Sequence, residues 1–216
     1  MRALILQHDA DAPPGLLAEW AAARGWTLDV VRLDLGERPP TSLQDHDRLI
    51  SLGSEASADD DAVAWQATEQ RALTAAADAA VPVLGICFGG QSLARALGGG
   101  VRRAARPEIG WCRIGTRVPD LIDDGPWLEW HRDEILPPPD AEVLARNEVG
   151  VQAWRLGPHV GLQFHPEVDV AIVECWIDAF RETARVPEGL REETERLLAG
   201  DVRARAMRLF DALLLG

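Results

Sequence analysis

The chain has 216 residues, 47% hydrophobic and 26% charged, and no apolar run approaches the length of a membrane span. Its formal net charge is −13 and no basic cluster stands out, which argues against nucleic acid or an anionic membrane as a partner. All 22 basic residues are arginine, and the absence of lysine excludes Schiff-base, phosphate-loop and Ser–Lys chemistry.

The first hundred residues alternate between apolar, strand-like runs and segments with helical spacing. The predicted strands are residues 2–7, 26–33, 47–54 and 81–86, and the predicted helices are residues 16–24, 62–79 and 91–97. This alternation is typical of a mostly parallel sheet with helices on both faces. The first apolar run is too short for a secretory leader, so we expect it to form the first strand of a cytoplasmic protein.

The middle of the chain changes to short segments separated by turns, which predict antiparallel strands. These segments are residues 108–115, 126–135, 142–147, 149–156 and 159–168. Residues 169–185 have the apolar spacing of a helix, and one or two amphipathic helices follow Pro187. We therefore predict an α/β fold with a mostly parallel central sheet and a small antiparallel sheet. Residues 1–216 form one domain, in which residues 186–216 are a C-terminal helical extension.

The stretch "VPVLGICFGGQSLARALGGG" places Cys87 between a predicted strand and a predicted helix. A residue at such a turn lies at the carboxyl end of the sheet, and the start of the helix stabilises a thiolate there. The glycines that follow allow close approach of a ligand, and the Phe88 N–H would face an oxyanion. Cys87 is thus a candidate nucleophile; the alternative is a buried, inert thiol.

A thiol nucleophile needs a base, and the base needs an acceptor that orients it. His165 follows the apolar run "VGLQF" and precedes Pro166 and Glu167. Since proline stiffens the turn, the carboxylate of Glu167 can fold back against the imidazole. A structural or solvated histidine at the end of a strand is the alternative.

Taken together, "GICFGGQ" and "FHPEV" resemble the G-x-C-x-G-x-Q and H-P-E signatures of the class I, triad-type glutamine amidotransferases. The chain is most similar to stand-alone members that resemble the amidotransferase domain of GMP synthases. The resemblance implies a flavodoxin-like fold and a triad of Cys87 as nucleophile, His165 as base and acid, and Glu167 as orienting acid. It implies no cofactor and no metal.

The family makes a second oxyanion donor from a glycine loop, often S-G-G-P, where this chain has "SLGSEAS". The resemblance assigns that role to Gly53, beside Phe88. Because the loop lacks one glycine and the proline, the Gly53 peptide is free to take two orientations, only one of which aims its N–H at the oxyanion. We therefore expect weak glutaminase activity until a partner docks.

The resemblance also implies a set of substrate-binding residues. Gln91 matches the glutamine of the first signature, and "PEIGW" resembles a stretch that borders the α-amino and α-carboxyl end of the substrate. Glu108 would receive the α-ammonium, with Gly110 and Trp111 beside it. A solvated glutamate and a surface glutamine are the alternatives.

The remaining histidines and cysteines have weaker signals. His131 and Asp133, in "EWHRDEI", resemble a His-x-Asp pattern of the same members and are expected at the rim or facing a partner. Cys112 and Cys175 lie in apolar patterns and are expected to be inert core residues. The histidines that match no motif, and are expected in the core or on the surface, are His8, His46 and His159.

The leading interpretation is an enzyme that cleaves a γ-glutamyl amide through a cysteine thioester. It would release ammonia from glutamine for a separate synthase subunit, since the chain has no pyrophosphatase loop of its own. The alternative substrate is a γ-glutamyl peptide or amine, hydrolysed by the chain acting alone. An α/β-hydrolase with a cysteine elbow has its acid before a late histidine, which this order contradicts. A binding subunit that has lost catalysis is the non-enzymatic alternative.

Overall fold

The computed structural model describes residues 1–215 as an α/β fold around one ten-stranded sheet. The strands are β1 (Arg2–Gln7), β2 (Thr27–Arg32), β3 (Arg48–Ser51), β4 (Val83–Ile86), β5 (Gly100–Cys112), β6 (Gly115–Thr116), β7 (Trp127–Leu136), β8 (Glu142–Arg146), β9 (Val151–Leu156) and β10 (His159–Leu162). The helices are α1 (Leu16–Arg24), α2 (Gln66–Asp78), α3 (Phe88–Ala96), α4 (Val170–Phe180), α5 (Leu190–Ala199) and α6 (Val202–Leu214), with a 3-10 turn at Leu33–Leu35. Among residues 1–215, no helix is both long and apolar enough to cross a membrane.

The strand order is β2-β1-β3-β4-β10-β9-β7-β5, with β8 pairing to β9 and β6. Neighbours from β2 to β10 are parallel, and β9, β7, β5 and β8 continue the same sheet with antiparallel pairing. The predicted fold class is confirmed. Residues 159–168 were expected to form an antiparallel strand. This is right for the pairing of β10 with β9 and wrong for its pairing with β4, which is parallel.

Helices cover both faces of the sheet, as β1 illustrates. Ala3 and Ile5 pack into a core that also holds residues of α1, α5 and α6, while Leu4 and Leu6 pack into a second core with residues of α2 and α3. This alternation follows from the two-residue period of a strand whose two faces are both buried.

Several boundaries differ from those predicted. Helix α3 begins at Phe88 rather than Gln91, because glycines 89 and 90 are helical despite their low propensity. Strand β5 begins at Gly100, in a stretch for which no strand was predicted. Helix α4 ends at Phe180, short of the predicted end at residue 185. Two helices follow Pro187, within the predicted range of one or two.

Candidate active site

Cys87 lies in a strained turn between β4 and α3. Its φ is 51° and its ψ is −108°, a backbone conformation that non-glycine residues rarely adopt. Helix α3 approaches the sheet so closely that a Cβ at Gly89 would overlap the Ser51 carbonyl, and one at Gly90 would lie 2.5 Å from the Leu162 oxygen. The two glycines thus allow the helix to begin directly behind the thiol. Such backbone strain is typical of a functional turn.

His165 reaches Cys87 because β4 and β10 are adjacent and parallel. The Cys87 N–H donates to the Leu162 carbonyl over 2.8 Å, which ties the elbow to the end of β10. Carboxyl ends of parallel strands meet at the same edge of a sheet. The residues that follow the two strands therefore share one site, although they are far apart in the sequence.

His165 and Glu167 form a buried pair. Nδ1 of His165 lies 2.7 Å from Oε1 of Glu167, and the two side chains are 3% and 4% exposed. Trp176 of α4 meets the imidazole edge-on, with ring centroids 4.8 Å apart. Burial alone would lower the pKa of His165, but the negative charges of Glu167 and of a Cys87 thiolate outweigh it and raise the pKa well above its ordinary value. This arrangement favours the imidazolium form of His165.

Two weak contacts hold the thiol itself. The Cys87 Sγ lies 3.8 Å from the Trp130 carbonyl oxygen and 3.7 Å from Nε2 of Gln163, which donates to it. Gln163 also accepts from Gln91 over 3.2 Å. The sequence motifs did not identify Gln163 as a site residue. Its position beside the thiol depends on the pairing of β10 with β4, which no local pattern encodes.

In the loop after β3, the carbonyl groups of Leu52 and Gly53 each accept a hydrogen bond. The Leu52 carbonyl accepts from the Gly89 N–H over 3.0 Å, and the Gly53 carbonyl accepts from Nδ1 of His8 over 3.2 Å. A peptide flip on either side of Gly53 would therefore break a hydrogen bond. This fixed arrangement removes the physical reason for expecting an easily flipped Gly53 peptide and weak basal activity.

A cavity of about 710 Å³ opens over the thiol. Of the predicted site residues, Cys87, His165, Gly53 and Gln91 line it. Its walls carry charges of both signs, from Asp9, Asp11, Glu55 and Asp133 and from Arg132 and Arg185. Burial, followed by the nearby charge of Asp9, raises the pKa of Asp11. The cavity can thus receive a ligand with both an ammonium and a carboxylate.

The other predicted substrate-binding residues, Glu108, Gly110 and Trp111, do not line this cavity. The carboxylate of Glu108 is engaged internally, since it accepts from Asn147 and Gln152 and pairs with His131. Trp111 instead donates its indole N–H to Thr194 of α5 over 2.9 Å. A Cβ at Gly110 would meet Pro187 at 3.4 Å. Gly110 and Trp111 therefore pack against the C-terminal segment, while Pro107 and Ile109 reach the cavity.

His131 and Asp133 both line the cavity and are largely buried there, at 7% and 6% exposure, so their expected place at the rim or facing a partner stays a prediction. Nε2 of His131 lies 3.1 Å from Glu108 and 3.2 Å from Glu129. Burial alone would lower the pKa of His131, but bonds to these carboxylates raise it to about 10. Among residues 1–215, Glu108, Glu129 and His131 are the group whose ligand atoms lie close enough together to hold a metal ion. A protonated imidazole between two carboxylates accounts for the arrangement without one.

The two other cysteines differ in their surroundings. Cys112 is partly buried, and burial together with the charges of Glu129 and Glu108 raises the pKa of its thiol to about 11. This environment fits the expected inert residue. Cys175 is exposed on α4, so the expectation of a core residue is wrong, because it lies on the solvent side of a helix whose other face is apolar.

The histidines without a motif have separate environments. His8 is fully buried beside the Gly53 loop, Nε2 of His46 lies 2.9 Å from Oδ2 of Asp29, and burial lowers the pKa of His159. Only His8 contacts a residue of the candidate site.

Residues 16–171 match the family model described as glutamine amidotransferase class-I. The chain belongs to the class-I glutamine amidotransferase family. The glutamine amidotransferase-like protein YfeJ of Salmonella typhimurium is 30% identical over 88% of this chain and 86% of its own length. One subunit of the glutamine-hydrolysing GMP synthase of Saccharolobus solfataricus is 45% identical over 41% of this chain, and the match spans about half, 52%, of that relative.

Solved structures of this amidotransferase family superimpose over nearly the whole chain. A glutamine amidotransferase from Methylobacillus flagellatus has a TM-score of 0.90 at 26% identity and covers 99% of this chain and 94% of its own. A glutamine amidotransferase from Thermotoga maritima also has a TM-score of 0.90, at 24% identity, and covers 100% of this chain and 99% of its own. At this identity the likeness supports the shared fold. The resemblance inferred from the two signatures is confirmed.

Proposed function

We propose that this amidotransferase hydrolyses the side-chain amide of glutamine through a thioester on Cys87. The observation that carries the proposal is the 2.7 Å contact between His165 and Glu167 at the edge of the cavity that Cys87 lines. Such an arrangement supports a nucleophile, a base and an orienting acid acting in series. A binding subunit that has lost catalysis would have no need of a strained cysteine turn with this pair beside it.

In the first half of the reaction, the Cys87 thiolate attacks the γ-carbonyl carbon and the carbonyl oxygen becomes an oxyanion. The amide N–H groups of Phe88 and Gly53 are the proposed donors to that oxyanion. His165, as imidazolium, gives its proton to the leaving nitrogen, and ammonia departs as the γ-glutamyl thioester forms.

In the second half, His165 is neutral and accepts a proton from water, whose oxygen attacks the thioester. The C–S bond then breaks, and glutamate leaves with the thiolate and the imidazolium restored. Glu167 keeps the imidazole oriented through Nδ1 in both halves, so that Nε2 serves the proton transfers.

We further propose that Gln91 lies next to the bound substrate and that the ammonia passes to a separate synthase subunit. The relative from Saccharolobus solfataricus is named as one subunit of a GMP synthase, which supports a division between ammonia release and its use. The mixed charges of the cavity supply partners for the α-ammonium and α-carboxylate of glutamine.

The second candidate is a γ-glutamyl peptide or amine hydrolase that acts alone. The cavity volume of about 710 Å³ favours it, since pockets of about 300–1,000 Å³ hold drug-sized ligands and glutamine alone is much smaller. The chemistry on Cys87 would be the same, with an amine leaving in place of ammonia.

The test is product release from glutamine and from a panel of γ-glutamyl amides by the wild type, Cys87→Ala and Cys87→Ser. We expect the wild type to release glutamate and both variants to lose turnover without a change in fold by circular dichroism. Cys175→Ser is the matched control and should keep full activity, because that thiol is exposed outside the cavity. Substantial turnover by Cys87→Ala would refute the proposal, and a preference for conjugates over glutamine would select the second candidate.

A further inference from the structure

A histidine and a glutamate lie paired and fully buried behind the loop that holds Gly53. His8 follows β1 and Glu69 lies on α2, and 2.9 Å separates Nε2 of His8 from Oε2 of Glu69. Both side chains are 0% exposed. Neither residue lines the cavity, and neither matches a motif of the two signatures.

The pair contacts both residues that are proposed to donate to the oxyanion. Nδ1 of His8 donates to the Gly53 carbonyl over 3.2 Å. Its ring also packs on the side chain of Phe88, with centroids 4.9 Å apart. On the far side, the Ser51 hydroxyl donates to Oε1 of Glu69 over 2.5 Å, which anchors the carboxylate to the end of β3. The pair thereby links the Gly53 loop, the start of α3 and α2.

Stability alone does not explain an ion pair in this position. When two charges are buried, the free energy of hydration that they lose often exceeds the free energy gained from their mutual attraction. Replacing such a pair by apolar residues of similar volume is frequently neutral or stabilising. Burial alone would lower the pKa of His8, but Glu69 and the Gly53 carbonyl outweigh it and raise the pKa. Because a carbonyl oxygen can only accept, the contact with Gly53 requires the proton of His8 on Nδ1.

The orientation of the Gly53 loop depends on this donor. In a trans peptide unit the C=O and the N–H point in opposite directions. A hydrogen bond to the carbonyl oxygen therefore also fixes the direction of the N–H of that unit. His8 fixes the peptide between Gly53 and Ser54, and the Gly89 N–H fixes the preceding one, which carries the Gly53 N–H. Without His8, the peptide between Gly53 and Ser54 loses its hydrogen bond. The peptide before Gly53 is still held by the Gly89 N–H.

We propose that His8, held by Glu69, is a positioning residue that fixes the Gly53 loop for stabilisation of the oxyanion. This rests on the proposed hydrolysis through Cys87. His8 itself touches no reacting atom; it acts through the carbonyl of Gly53. Since oxyanion donors act mainly in the transition state, the pair should influence kcat far more than KM.

The test compares wild type, His8→Gln and Glu69→Gln, with His46→Gln as the matched control. His46 also pairs with a carboxylate, but it lies outside the cavity and touches no candidate site residue. We expect kcat to fall about 10- to 100-fold in His8→Gln, less in Glu69→Gln, and not in His46→Gln, with KM within about twofold throughout.

A second readout separates positioning from a general loss of structure. Iodoacetamide alkylates a thiolate by displacement at carbon and forms no oxyanion, so its rate at Cys87 should match the wild type in every folded variant. If kcat and the alkylation rate fell together, or if kcat stayed unchanged in folded His8→Gln, the proposal would be overturned. A wild type that alkylates at Cys87 but hydrolyses no γ-glutamyl amide would instead refute the proposed function.

A single replacement that strands one buried charge could prevent folding. The double variant His8→Leu/Glu69→Leu removes both charges and keeps an apolar core, so it is expected to fold. Its kcat should be reduced at least as much as that of His8→Gln, whereas wild-type turnover by this folded variant would contradict the positioning role.

Discussion

At the level of single residues, the proposed mechanism assigns roles to three side chains and one glycine: Cys87, His165, Glu167 and Gly53. Cys87 is held in a strained turn, and His165 is fixed by a carboxylate on Nδ1. In the proposed mechanism the carboxylate orients the imidazole, while the imidazole itself moves the protons. This division of roles predicts unequal effects of replacing them.

His165→Asn should lower kcat by about three orders of magnitude or more, because it removes the proposed base and acid. Glu167→Gln should lower kcat less, by about 10- to 100-fold, because an amide can still accept from Nδ1 without the charge. Steady-state kinetics on both purified variants checks this order. A larger loss in Glu167→Gln than in His165→Asn would mean that base and orienting acid are misassigned.

Gly53 leaves just enough space for the imidazole. A Cβ there would lie 3.1 Å from Cε1 of His165, closer than ordinary van der Waals contact. Gly53→Ala should therefore displace the base by a few tenths of an ångström and lower kcat about tenfold, because misplacements of this kind cost rate steeply. Gly100→Ala is the control, since its nearest neighbour would be 3.7 Å away. Equal activity of the two variants would show that the ring tolerates the methyl group.

At the scale of secondary structure, the ladder between β5 and β7 carries the buried charges. Glu108 and His131 are directly opposite each other across the two strands. His131 should remain protonated in the folded chain at pH values at which the unfolded chain has lost that proton. The folded state then binds more protons than the unfolded state, so stability falls as pH rises.

We expect this part of the unfolding free energy to be complete below about pH 6.5, the ordinary histidine pKa, and lost as pH approaches the raised value of about 10. Urea unfolding of the wild type and of His131→Gln between pH 6.5 and 10 measures this contribution. The unfolding free energy of the variant should fall less steeply with pH than that of the wild type. In a nuclear magnetic resonance titration, His131 should stay charged at pH 8, while His159 should already be neutral there because burial lowers its pKa. A neutral His131 at pH 8 would contradict the charged ladder.

Local patterns in the sequence predicted most of the elements and the two catalytic signatures, because both are short and continuous in the chain. They failed where contacts depend on register. Glu108 has the polar character of a substrate ligand, but β5 pairs it with His131 and directs its carboxylate into a buried network. His8 has no neighbouring motif, and its link to Gly53 exists only because β1 and β3 are adjacent.

At the scale of the whole molecule, the C-terminal helices belong to the main core. Helix α6 packs against α1, where Asp211 accepts from the Trp20 indole over 2.8 Å and pairs with Arg24. Phe210 is completely buried in the same core. The segment predicted as an extension is therefore packed into the main core beside α1.

Phe210→Ala should lower the unfolding free energy by about 3–5 kcal/mol, the usual effect of emptying a core phenylalanine site. Leu215→Ala, at a side chain that is 50% exposed, is the control and should change it by about 0.5 kcal/mol or less. Chemical denaturation of both variants makes the comparison. A small effect at Phe210 would mean that α6 is dispensable for the fold.

The parallel pairing of β4 with β10 has a consequence for how the chain is made. Cys87 leaves the ribosome well before His165, and the strands that bring them together cannot pair until the intervening antiparallel strands have also been synthesised. By the proposed mechanism, a growing or half-folded chain therefore carries the nucleophile without its base and should not cleave amides. During refolding, the appearance of glutaminase activity should coincide with closure of the centre of the sheet and lag behind the formation of helices.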